Sequence, residues 1–276
     1  MSITTRLVYH RDLFARSPRI GGPDVIAWQE YLGIPVDGSF GPQTDAATRR
    51  AQLTLGVKVD GVVTRELIDR ANASVFEDQT EPGRPITAPP TIPTVASLVT
   101  KFVQATKFTK AGRPHSTIVH IVLHTAEIGE SLQGADALAS VAASPTSRNA
   151  SWHFAVDADS ITQSVKIEDV AWHAPGCNSD GIGIEMAGRA SQTKAEWADS
   201  FSTSMLDRCA KLVASLCHEL GIPATFVDAD GLIAGKAGIT MHSCVSKAFK
   251  KSDHWDPGPN FPIDAFIAKV RAYLGA

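Results

Sequence analysis

The stretch Ile118-Val119-His120-Ile121-Val122-Leu123-His124-Thr125 packs β-branched and apolar residues densely around two histidines. A run of this length and composition predicts a buried strand. Alternation then puts Ile118, His120, Val122 and His124 on one face. Downstream, residues 153–165 (HFAVDADSITQSV) read as two strands joined by the turn Asp157-Ala158-Asp159, and Ile182–Met186 reads as another strand. Between Lys194 and Leu220 the apolar positions Phe201, Met205, Cys209, Leu212 and Leu216 recur at helical spacing, ending at Gly221 and Pro223. Phe266, Ile267, Val270 and Leu274 repeat that pattern in Ile263–Leu274. Strands interspersed with helices predict an α/β domain, a mixed central sheet flanked by helices.

Upstream, Pro82, Pro85, Pro89, Pro90 and Pro93 crowd one segment. Proline removes backbone donors and favours extended geometry, so residues 74–97 are expected to be a linker. It separates a front module, residues 1–73, from a rear module, residues 98–276. The front module carries an internal echo: Val36-Asp37-Gly38, Phe40-Gly41 and Thr44, then Val59-Asp60-Gly61, Val62 and Thr64. Each Asp-Gly signals a turn, and each threonine is placed to cap a helix. Val25, Ile26, Trp28 and Leu32, then Ala47, Ala51 and Leu55, then Leu67 and Ile68 predict three helices sharing a small core.

The 276-residue chain is 43% hydrophobic, 20% charged and carries a formal net charge of -3, which fits a globular protein and argues against a nucleic-acid partner. Four cysteines, Cys177, Cys209, Cys217 and Cys244, make no disulfide framework and no C-x-x-C pair. On a helix, Cys209 and Cys217 would stand about 12 Å apart, too far to bridge. The first residues lack the apolar core of a signal peptide, and no stretch is long enough to span a bilayer. Synthesis in the cytoplasm is the expectation. Gly231–Ala237 (GLIAGKA) is one residue short of a phosphate loop and reads as a surface turn. His218-Glu219 lacks the second histidine of a helical zinc protease, and Gly38-Ser39-Phe40-Gly41 lacks the spacing of a nucleophile elbow.

Eight of the nine histidines lie in the rear module. A single histidine is more often surface or satisfied core than chemistry. Three segments stand out by context. His124 ends the buried strand, His242 follows the apolar run Ala237–Met241 at a similar strand end, and Asp256 opens the stiff turn Asp256-Pro257-Gly258-Pro259. Two neutral imidazoles and a carboxylate would hold a tetrahedral Zn2+ with its fourth position open to water.

The segments IVLHTAE, WHFAVDADSITQSV, VAWHAPGCNSDGIGIEMAG, ITMHS and HWDPGPNFP, spread over residues 98–270, together resemble the type 2 N-acetylmuramoyl-L-alanine amidases. That zinc amidase family includes bacteriophage endolysins and peptidoglycan recognition proteins. Val36–Thr44 resembles the V-D-G-x-F-G-x-x-T signature of the type 1 peptidoglycan-binding domain, with Val59–Thr64 as a degraded second copy. The resemblance implies His124, His242 and Asp256 as zinc ligands and Glu185 as general base. It places His254 where many relatives have lysine, a hydrogen-bond donor to the developing oxyanion. Activity is then expected to vary with pH near neutrality. His153 and His173 are expected behind the ligands or facing substrate. Asn178 is expected to orient substrate peptide or to make a turn with Gly176 and Ser179.

The implied enzyme is a peptidoglycan hydrolase, a zinc-dependent monomer that cuts between N-acetylmuramic acid and L-alanine, with bacterial peptidoglycan as its partner. The implied setting is a phage endolysin held in the host cytoplasm until lysis. The rivals are a non-catalytic peptidoglycan recognition protein and a stem-peptide endopeptidase. Two features depart from the family. Trp152 stands where some relatives have tyrosine, and SKAFKKS (246–252) lengthens the gap from His242 to Asp256. That insertion, with Lys247, Lys250 and Lys251, reads as a solvated loop. Cys244 would share a strand face with His242 but not its reach.

Overall fold

The computed structural model describes residues 7–16, 18–76 and 92–275. The chain forms two compact units, one of residues 1–91 with 274–276 and one of residues 92–273. Among the described residues, three helices build the first: α1 (Pro23–Leu32), α2 (Pro42–Thr54) and α3 (Arg65–Phe76). Val25, Trp28, Phe40, Val63 and Leu67 are fully buried or nearly so, together with Leu13 and Ile20. Ile26 is exposed and lies outside that core.

The sequence echo is a structural repeat whose key residue is a buried glutamine. Gln29 accepts from the backbone N–H groups of Asp37 (3.1 Å) and Gly38 (2.9 Å) and donates to Asp37 Oδ1 (2.7 Å). Gln52 does the same for Asp60 (3.0 Å), Gly61 (2.8 Å) and Asp60 Oδ1 (2.9 Å). Each glutamine ties a helix to the turn that follows it, meeting the donors that a tight turn would otherwise leave unpaired. Gly38 and Gly61 sit at φ 67° and 74°, where a side chain is strained. The threonine expectation holds in one copy. Thr64 accepts from Leu67 N–H as a cap, whereas α2 begins earlier, at Pro42, and Thr44 lies inside it, bonded to Gln29.

The second unit is built on a six-stranded sheet. Its strands are β1 (Lys101–Phe102), β3 (His120–Thr125), β4 (Phe154–Val156), β5 (Ile161–Gln163), β7 (Gly181–Met186) and β8 (Gly238–Met241). They run in the order β1-β5-β4-β7-β3-β8, with only β4 and β5 antiparallel. The two short strands β2 (Phe108–Thr109) and β6 (Val170–Ala171) pair separately. Helices α5 (Gly134–Ala143), α6 (Ser200–Leu220), α7 (Ala229–Ile233), α8 (His242–Phe249) and α9 (Ile263–Leu274) surround the sheet. β3 is buried along its whole length between β7 and β8, as its continuous apolar run requires. The long α6 starts where Asp199 accepts from Ser202 N–H (2.8 Å) and ends at Gly221 in the left-handed conformation. The mixed α/β sheet with flanking helices and the small all-helical front unit match the sequence expectation.

Local differences have local causes. Residues 77–91 of the expected linker lie outside the described residues, but 74–76 continue α3, and Val95–Leu98 form a helical turn, α4, capped by Thr94. Gly231–Ile233 close helix α7, which Asp228 caps, instead of making a plain turn. The expected loop at 246–252 is helical as far as Phe249, with Lys250 in the left-handed conformation as its stop.

Candidate metal centre and active-site cleft

Parallel pairing of β3 with β7 sets His124 directly across from Glu185. On the other side β3 pairs with β8, which ends at Met241, and His242 is the first residue of α8. Two imidazoles far apart in the chain thus emerge at one end of the sheet. Asp256 closes the group because its carbonyl accepts from Ser243 N–H (3.0 Å) in the first turn of α8. The helix inside the 242–256 gap folds the chain back on itself. Cys244 therefore lies two residues along a helix from His242, about 200° around the axis, not on a shared strand face. It packs instead against a core that includes Val122 and Val245.

The donor atoms converge closely. His124 Nδ1 lies 3.3 Å from Asp256 Oδ2, and His242 Nδ1 lies 3.3 Å from Asp256 Oδ1. One donor from each of the three residues falls within 4.8 Å of the others, and all three residues are buried. Each distal nitrogen is engaged from behind: His124 Nε2 by His173 Nδ1 (3.1 Å), His242 Nε2 by Ser252 Oγ (3.3 Å). This is how ligand imidazoles are held in one orientation. Asp256 Oδ2 is buried without a hydrogen-bond partner. Zinc bonds of about 2.0–2.1 Å give a tetrahedral edge of about 3.3–3.4 Å. The donor set and its spacing fit such an ion.

Burial alone would raise the Asp256 carboxyl, but the contacts with His124 and His242 outweigh it and hold the group well below the usual carboxylate range. Burial pushes His124 down against the opposing pull of Asp256. His173 is driven well below an ordinary histidine, by burial first and then by the neighbouring His124. Both rings are therefore neutral at pH 7, the state a ligand needs.

Glu185 stands beside this group with Oε2 buried and unpartnered. Burial, and then the charge of Asp256, push its carboxyl up to about 8, while Arg148 opposes the rise. A carboxyl that takes and releases a proton near neutrality suits general base and acid work. His254 stacks on His242 (ring centroids 4.4 Å apart, planes at 10°), with Nδ1 3.4 Å from Asp256 Oδ1 and about half its side chain exposed. All these groups line one cleft of about 300 Å³, whose wall includes Trp152, Trp172 and Arg148.

Two expected substrate residues do not reach this cleft. His153 is fully buried: its Nδ1 accepts from Gly183 N–H (3.0 Å), and its Nε2 lies 3.2 Å from the Asp169 carbonyl and 3.0 Å from Arg113 Nη2. It braces β7 from behind. Asn178 Oδ1 accepts from the N–H groups of His173 (3.0 Å) and Ala174 (2.7 Å), so its side chain organises the turn that carries His173. His173 does line the cleft. A Cβ added at Gly183 would stand 2.4 Å from the His173 ring, so this position must be glycine for the ring to lie across the strand. Ser252, Arg148 and Arg113 carry no spacing or motif signal, and sequence reasoning missed them. Their roles exist only through contacts made in three dimensions.

The family model for N-acetylmuramoyl-L-alanine amidase matches residues 114–259, more than half the chain. The chain belongs to that amidase family. Every member of the cleft group falls within the matched span, and residues 23–70 match a peptidoglycan binding domain. N-acetylmuramoyl-L-alanine amidase A of Achromobacter lyticus is 31% identical over 108 residues, covering 37% of this chain and 56% of that relative. This amidase chain thus spans just over half the length of that relative. Among solved structures, the Staphylococcus aureus hydrolase AmiA in complex with its ligand aligns at TM-score 0.46 and 19% identity over 62% of this chain and 82% of its own. A mutant endolysin from Bacillus subtilis aligns at TM-score 0.41 and 22% identity over 62% and 99%.

Proposed function

We propose that this chain is a zinc-dependent peptidoglycan hydrolase that cleaves the amide between N-acetylmuramic acid and L-alanine. The observation that carries this reading is the convergence of His124, His242 and Asp256 at one end of the sheet, with Glu185 on the adjacent strand. When bound there, zinc would lower the pKa of water to about 7 and polarise the scissile carbonyl. Glu185 takes the proton of the attacking water and returns it to the departing L-alanine nitrogen. His254, exposed at the cleft edge, donates a hydrogen bond to the tetrahedral oxyanion. His173 and Ser252 hold the His124 and His242 rings at a fixed angle. Trp152, buried in the cleft wall, supplies shape and no acid.

The front unit, as a peptidoglycan binding domain, would hold the catalytic unit at the polymer and raise its local concentration there. A wall-binding unit joined to a wall-cutting one suits an enzyme that dismantles intact wall, such as a phage endolysin. Digestion of purified peptidoglycan by the full chain, followed by mass spectrometry, tests the bond. New N-terminal L-alanine is expected. Other new amines would indicate an endopeptidase, and no release would indicate a recognition protein. His124→Ala is expected to abolish release and to lower bound zinc; full activity in a folded His124→Ala protein would refute the assignment.

A further inference from the structure

A second convergence of donors lies at the other end of β3. His120 precedes His124 by four residues, about 13 Å along a strand, so it takes no part in the cleft. His120, Cys177 and Asp180 each place one donor atom within 4.8 Å of the others. The His120 side chain is only 7% exposed. Its Nε2 lies 3.0 Å from the Lys236 carbonyl oxygen, which can only accept, so Nε2 carries the ring proton. Nδ1 is then a bare lone pair, sealed from solvent and without a hydrogen-bond partner. It faces Asp180 Oδ2, another acceptor, at 3.5 Å. Asp180 Oδ1 is also buried and unpartnered. Cys177 is fully buried beside them.

A second proton on His120 would answer only one contact, at a length beyond a normal charged hydrogen bond, and would leave Asp180 Oδ1 and the sulfur unmatched. A divalent ion answers all of them. The carbonyl-anchored imidazole is the arrangement that presents Nδ1 to a metal, and a 3.5 Å separation of donors is close to a tetrahedral edge. Thiolate, imidazole and carboxylate together select zinc over magnesium or calcium. Asp180, with more than a third of its side chain exposed, gives the ion a way in.

We propose that His120, Cys177 and Asp180 form a second, structural site for a zinc-class divalent ion. On binding, Cys177 releases its proton to solvent, and thiolate plus carboxylate balance the two positive charges. Burial, and then Asp180, hold the metal-free thiol up at about 12, so Cys177 stays protonated until an ion arrives. The site clamps the entry to the central sheet. His120 begins β3, Cys177 and Asp180 lead into β7 at Gly181, and Lys236 precedes β8. Those same three strands deliver His124, Glu185 and His242 at their far ends.

Metal analysis of the purified full chain, loaded with zinc and then dialysed, tests this. Two equivalents per chain are expected, falling to one in Cys177→Ser and to one in His124→Ala. The cobalt-loaded protein should show a thiolate-to-cobalt charge-transfer band in the near ultraviolet. Cys177→Ser should remove that band, whereas Cys244→Ser and His124→Ala should leave it. A wild-type cobalt spectrum with no thiolate band overturns the proposal, whether or not Cys177→Ser folds and whatever the cleft binds. A band that survives Cys177→Ser but not Cys244→Ser overturns it as well.

Discussion

Acidification is expected to unfold the amidase unit through His153, by an amount that can be worked out from the ring's surroundings. The ring is fully buried, Gly183 N–H occupies Nδ1, and the Arg113 guanidinium lies 3.0 Å from Nε2. Burial first, and Arg113 second, push its pKa down to about 3 against the weak opposing pull of the Asp169 carbonyl. An unfolded histidine titrates near about 6.5. Between those two values the unfolded chain binds a proton that the folded ring refuses, so stability falls as pH falls. The contribution is intact above about pH 6.5 and declines toward pH 3 at up to about 1.4 kcal/mol per pH unit. Two units down, at about pH 4.5, the loss is about 2.7 kcal/mol. For a unit of this size that corresponds to roughly 5–11 °C in Tm. The assay is thermal or urea unfolding from about pH 7.5 to 4.5, with chelator present so that metal release does not contribute. His153→Asn keeps an acceptor for Gly183 N–H and cannot titrate. It should be less stable than wild type at neutral pH, yet flatter in its pH dependence by about 1.4 kcal/mol per unit. The buried His124 and His173 contribute with the same sign in both proteins. Equal slopes in the two proteins would show that the folded ring accepts a proton, and the account of His153 as a neutral brace would be wrong.

Glu185→Gln should keep its metal and its fold while losing about 10²–10⁴-fold in turnover, the range for a removed general base; retained turnover would move the proton-handling role elsewhere. Gln52→Ala should destabilise the front unit by about 1–3 kcal/mol, because the buried N–H of Gly61 and its neighbour Asp60 lose their acceptor. Chemical denaturation of residues 1–76, monitored by Trp28 fluorescence, would check this, and an unchanged midpoint would refute it.

The elements were legible wherever the chain's local pattern admits one period. Residues 120–125 of the run 118–125 became β3, which starts two residues late, residues 182–186 fell in β7, and the hydrophobic positions of 201–216 lie along α6. The front repeat was visible in its two Val-Asp-Gly turns, yet Gln29 and Gln52, which hold those turns, were not. A glutamine at any helix position looks like a surface residue until its partner is known. His153 and Asn178 show the same limit. A histidine beside a strand has two faces available, and the sequence does not say which one meets Arg113 and which the cleft.

What the sequence determined by itself is therefore the periodicity of each element, the turn residues between them and the residue types able to bind a metal. Only the tertiary structure decided which of those residues meet. The order β7-β3-β8 places Glu185, His124 and His242 side by side although 118 residues of chain separate the first histidine from the second. The physical reason is range. Backbone propensity and side-chain alternation act over a few residues, whereas a coordination group is fixed by parallel pairing, by the fold-back of α8 onto Asp256, and by burial that strips three polar side chains of water.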